Sequence, residues 1–161
     1  MRRNSLLVML IVIFAAGASS CLGGTAVDSP YVGHEYQLKQ SVFVHRWPDT
    51  GILSAEPIGW GSGFPRSVEE YYDNPTHWRG TPLGEQDFRA DILYVLPAGT
   101  KIRIDKVRLG RCDGSKFYEV YGHTLEGPHS SDRLDFSWLF EGYLVSSAEH
   151  RPNPQLIAEV S

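Results

Sequence analysis

The chain has only two cysteines, Cys21 and Cys112, in 161 residues. Structural zinc sites set cysteines and histidines in close pairs. Here His123 and His129, with Asp132 nearby, have no cysteine pair beside them, so a zinc site built with Cys112 is not expected. There is no G-x-x-x-x-G-K-[ST] phosphate loop. Gly61-Ser62-Gly63 lacks glycine two places to either side of the serine, where Trp60 and Phe64 stand, so it is not a nucleophile elbow. Long basic runs are missing too. Lys101 to Arg108 alternates charged and apolar residues, the pattern of an exposed strand face rather than a nucleic-acid surface. Nothing in these patterns implies a cofactor. The apolar run Leu6 to Phe14 falls short of the roughly 20 residues that span a bilayer.

What is present begins at the N-terminus. Arg2 and Arg3 precede that apolar run, and Ala15 to Ser20 are all small. Charge, apolar core and small residues at the cut are the order of an export signal, expected over residues 1–20. Ala18-Ser19-Ser20-Cys21 resembles the lipobox of bacterial lipoproteins, with Ala18 where that family usually carries Leu. The resemblance implies that Cys21 becomes the first residue after cleavage and carries lipid. Each buried CH₂ contributes about 0.8 kcal/mol, so two or three acyl chains anchor a protein firmly where one holds marginally. Leu22 stands where the family's inner-membrane retention signal has Asp. This implies the periplasmic face of an outer membrane as the address. The competing reading is cleavage after Ala16-Gly17-Ala18. That would leave Cys21 free to bridge Cys112 in an oxidising compartment. Residues 21–30 read as a flexible tether, rich in small residues.

Without Arg2 and Arg3 the 15 Lys and Arg fall to 13 against 19 Asp and Glu, a net charge of −6. The remaining length of about 140 residues suits one domain. Aromatic residues make up 12%, with 16 glycines and 10 prolines, which favours a turn-rich β domain over a helical bundle. The expected domain covers 31–146, followed by a loose polar tail at 147–161.

Within that domain, Ser41 to Trp47 is rich in β-formers. An irregular insertion is expected at about 48–89. In it Ser67 and Glu70 form a capping box that starts a short helix over Val68–Asp73, closed by Asn74-Pro75. Glu69 and Glu70 are explained by this cap and the helix dipole rather than by acid–base chemistry. Ala90 to Leu96 reads as a strand, followed by a turn at Pro97-Ala98-Gly99. Thr100 to Leu109 is a strand whose apolar parity changes, so a bulge is expected near Asp105-Lys106. Asp113-Gly114 marks a hairpin returning through Lys116 to Tyr121. Gly122 to Arg133 reads as a loop, and Phe136 to Val145 as a strand or a helical turn feeding one.

Leu96 to Ile104 resembles the turn-and-strand piece of bacterial SH3-like small barrels. The expected fold is therefore mainly β, a small SH3-like barrel or meander with a long insertion carrying one short helix. Trp60, Phe64, Tyr71, Tyr72 and Trp78 crowd that insertion and are the candidate ligand-binding residues. The expected role is non-catalytic binding of a protein or cell-wall ligand, or envelope assembly, with the membrane as a partner through Cys21. Two alternatives stay open. One is an inhibitor or immunity-type protein acting on a basic enzyme. The other is a hydrolase using Cys112 with His123 or His129, which needs thiol and base within hydrogen-bond reach.

Overall fold

The computed structural model describes residues 22–47, 50–59, 63–79, 91–112, 115–142 and 150–160. The strands are β1 (Leu22–Ala26), β2 (Glu35–Leu38), β3 (Val42–Arg46), β4 (Leu53–Pro57), β5 (Asp91–Leu96), β6 (Lys101–Cys112), β7 (Ser115–Thr124), β8 (Leu134–Asp135), β9 (Phe140–Glu141), β10 (Arg151–Pro152) and β11 (Ile157–Glu159). Helix α1 (Val68–Asp73) and 3-10 turns at Pro75–Trp78 and Ser137–Leu139 complete the described elements. The fold is mainly β, a small barrel-like sheet with a helical insertion. Strand order is β11-β2-β6-β7-β8-β4-β3-β5, with β1 added to β6. No helix among the described residues is long and apolar enough to cross a membrane.

The long β6–β7 hairpin is the frame. Strand β6 pairs with β7 along one edge and with β1 and β2 along the other. The ladder shifts register between Ile104 and Lys106, at the expected bulge. Because a bulge adds one residue and reverses parity, Ile102, Ile104 and Val107 all enter one core. Gly122 lies opposite Ile104, where a Cβ would stand 2.0 Å from the Arg103 carbonyl oxygen. Only glycine lets the two backbones approach this closely.

Alternation then sorts β3. Val42 and Val44 join Tyr36, Val120, Leu134, Phe136 and Leu139 inside the barrel. Phe43 packs on the opposite face beneath Phe64, Tyr71, Trp78 and Ile92 of the insertion and β5. Both faces of β3 are thus covered, and its apolar run is continuous for that reason.

Four expectations change. Residues 22–26, read as tether, form β1, with Leu22 opposite Arg111 and Ala26 opposite Arg108. Gly24 packs directly on the β6 backbone at Leu109 and Gly110, so the small residues that suggested flexibility permit close pairing. The insertion does not begin at residue 48, because β4 pairs with β3 along its whole length and with β8 in parallel. Residues of the tail are part of the fold. Ile157 is buried and pairs with Leu38, and Arg151–Pro152 pairs with β9. Strand β7 also runs on to Thr124, through the first part of the expected loop.

Helix α1 starts as its cap dictates. Ser67 Oγ accepts from the Glu70 N–H at 3.2 Å. The returning Glu70 carboxylate accepts from the Arg66 N–H at 2.6 Å, one residue before the cap. A cap of this kind contributes about 1 kcal/mol.

Candidate functional site

The insertion aromatics divide in two. Phe64, Tyr71 and Trp78 are buried in the cover over β3 and β5. Tyr71 tilts against Phe43 at 5.9 Å, and its hydroxyl donates to the Leu93 carbonyl at 3.4 Å. Tyr72 is 63% exposed and packs edge-on to Tyr71 at 5.2 Å. Trp60 lies outside the described residues, as does Cys21. Helical geometry causes the split, since adjacent positions on α1 face in different directions.

Tyr71 and Tyr72 form one wall of a cleft of ≈470 Å³. It is also lined by β5 from Leu93 to Leu96, by Pro97 after it, and by the turn Glu126-Gly127-Pro128-His129. Gly127 has φ +93°, a left-handed conformation that glycine adopts without strain. That turn brings the His129 ring onto Tyr94, 3.6 Å between centroids and within 8° of parallel. One Asp132 carboxylate oxygen holds both rings. It accepts from the Tyr94 hydroxyl at 2.8 Å and lies 3.2 Å from His129 Nδ1. Burial first, and the bond to Asp132 second, raise the Tyr94 phenol well above its ordinary range, so it stays protonated as a donor. Thr124 also lines the cleft, and its buried Oγ1 has no hydrogen-bond partner among the described residues.

This arrangement offers two aromatic faces, one of them held by Asp132, with the polar groups of His129 and Glu126 beside them. A ligand with an apolar face and a hydrogen-bonding edge fits such a mixture, since pockets of this type use few polar groups to fix orientation.

The other candidate groups lie apart. His123 Nδ1 is 2.7 Å from Asp105 Oδ2, at the β6 bulge. His123 lies opposite Arg103, whereas Cys112 lies opposite Ser115 at the far end of the same ladder. Nine residues of strand separate positions 103 and 112, about 30 Å at 3.3 Å per residue. The register therefore places Cys112 and His123 toward opposite ends of the β6–β7 ladder. Among the described residues no group of three His, Cys, Asp or Glu side chains is placed to hold a metal ion. Glu69 sits on the exposed first turn of α1, where hydrogen bonds from backbone and Ser67 hold its carboxyl below the usual range.

A second polar cluster is hidden beneath the insertion. His45 Nε2 donates to Glu56 Oε1 at 3.0 Å, and Ser54 Oγ donates to the same oxygen at 3.2 Å. All three are buried, and the His45 ring packs edge-on against Trp47 and Phe64. Neighbouring Asp135 receives bonds from the Ser137 N–H, at 2.9 Å, and the Ser137 hydroxyl. Burial pushes the Asp135 carboxyl up to about 6, against these bonds and with help from Glu119 and Glu56. No family model matches this sequence, and no curated protein or solved structure matches it.

Proposed function

We propose that the protein is an exported envelope lipoprotein, anchored through Cys21, whose β domain binds a short peptide or glycan segment in the cleft between α1 and the β7–β8 turn. The observation that carries the binding role is the cleft itself. Exposed Tyr72 and the Tyr94–His129 stack line the same cleft, with Glu126 and Thr100 beside them. Aromatic faces grip sugar rings and peptide side chains through apolar contact while polar tips set the orientation. Small barrels of the SH3-like kind, to which the β5–β6 segment is similar, host many such roles, so the argument rests on the site and not the fold.

The anchor belongs to the same reading and is supported by the leader and its closing cysteine. With β1 paired to β6 from Leu22, a lipid on the preceding residue would hold the domain close to the bilayer rather than on a long tether.

The test has two arms. Labelled palmitate should enter the mature chain and be lost in Cys21→Ser. Envelope extract passed over the immobilised mature chain should yield a retained peptide or glycan fraction, and Tyr72→Ala should lose it with the fold intact. Retention that is equal in wild type and Tyr72→Ala removes the cleft from the proposal, and absent label removes the anchor.

A further inference from the structure

A second pocket, of ≈340 Å³, lies on the side of the β6–β7 ladder away from the barrel interior. It is lined by Gly51 and Ile52 of the β3–β4 connection, by Leu53 at the start of β4, and by Arg108, Tyr121 and Arg133. The pocket shares no lining residue with the aromatic cleft. It is independent of the function proposed above.

The two arginines stand differently. Arg108 is fixed: its Nε–H donates to the Gly24 carbonyl at 2.7 Å and lies 3.7 Å from Glu119 Oε2. Arg133 sits over the Tyr121 ring, with its guanidinium carbon 4.4 Å from the centroid. Among the described residues no carboxylate pairs with Arg133. The nearby acid on β8, Asp135, turns its hydrogen bonds to Ser137. The forked N–H donors of a guanidinium match the two oxygens of a carboxylate or phosphate. Burial raises the Tyr121 phenol to about 12, so its hydroxyl remains a donor near neutral pH.

We infer that this pocket binds an oxyanion, carboxylate or phosphate, on the stacked guanidinium of Arg133. Arg108 is the second cation, and Ile52 and Leu53 accept an apolar group beside the charge.

The experiment titrates the mature chain with inorganic phosphate and, separately, with N-acetyl-leucine, following by NMR the arginine Nε–Hε resonances and the backbone amides of Gly51 to Leu53, which every variant keeps. The carboxylate probe carries the apolar neighbour that phosphate lacks, so its tighter binding identifies an organic acid as the ligand type, and the reverse identifies a phosphate. The Arg133 resonance should move saturably with at least one probe. Loss of one charge-assisted pair should weaken that binding about tenfold in Arg133→Gln. Arg133→Lys, which keeps charge without the fork, should fall between the two and guards against a folding defect in the first variant. Tyr72→Ala should leave the titration unchanged, separating this pocket from the cleft. Shifts that stay linear with both probes, or that are the same in wild type and Arg133→Gln, would overturn the assignment.

Discussion

The two faces of β3 are buried by different chemistry. Inside the barrel, Val42 and Val44 meet Ala55, Ile104, Leu134 and Phe136, all fully buried and without a polar side chain among them. On the outer face, Phe43 and His45 meet Phe64 and Tyr71, while Ser54 and Glu56 of the adjacent strand are buried alongside them. The interior is held by non-directional apolar burial, about 25 cal/mol per Å². The cover adds a hydrogen-bonded cluster that contributes only while each member keeps its partner. A barrel interior tolerates change in proportion to the volume removed, whereas the cover fails when a single acceptor is lost.

The contrast can be broken by experiment. Phe136→Ala empties the interior and should cost about 4 kcal/mol, read as a fall in the urea midpoint. Gly122→Ala drives a Cβ toward the Arg103 carbonyl and should cost about 3 kcal/mol without removing any atom from either core. Glu56→Leu leaves the His45 and Ser54 donors buried without their acceptor and should cost about 2 kcal/mol. The triple change to His45→Leu, Ser54→Ala and Glu56→Leu should cost less than Glu56→Leu alone, because removing all the partners avoids the stranded donors. If the triple variant is the less stable one, the cluster is worth more than apolar packing and the contrast fails.

Acid sharpens the same comparison, because two buried groups pull in opposite directions. The folded chain holds the Asp135 proton up to about 6, whereas the unfolded chain releases it at the usual 3.8. This group therefore stabilises the fold increasingly as pH falls from about 6 to 3.8, by on the order of 2 kcal/mol. His150 does the reverse. It is stacked between Tyr118 and Phe140, and burial lowers its imidazole from 6.5 to about 4. The unfolded chain takes up that proton first, so stability is lost as pH falls from 6.5 to about 4. Asp135→Asn should make the protein more acid-sensitive between pH 6 and 4, and His150→Phe less so, in chemical denaturation at each pH. The smallest effect on stability belongs to Tyr72→Ala, within about 0.5 kcal/mol, although capture at the cleft should be lost.

Much of the frame could be read from residue order. The bulge near Asp105 followed from the parity change between Ile104 and Val107, and α1 from Ser67 and Glu70. Strand β4 was hidden because Leu-Ser-Ala-Glu-Pro, although it alternates, has no β-branched or aromatic residue and ends in proline; its Ser54 and Glu56 are buried as hydrogen-bonding partners, not as apolar side chains. β1 and β11 were hidden because glycine-rich and short terminal segments resemble linkers until a partner edge is known. The aromatic cluster of the insertion was visible as a cluster. Which members cover the sheet was not, since Tyr71 and Tyr72 are neighbours of one residue type with opposite exposure. The cleft's stack was equally hidden, because Tyr94 and Asp132 stand 38 residues apart.

Sequence alone determined the local geometry: where strands alternate, where the backbone bulges, and where a helix is capped. These depend on contacts within a few residues, which the chain order specifies. Only the tertiary structure decided that Phe64, Tyr71 and Trp78 cover β3 while Tyr72 faces the cleft. It also decided that Cys112 and His123 stand at opposite ends of one ladder. Burial and separation belong to pairs of elements, and those are fixed only when the sheet curls and the insertion closes over its outer face.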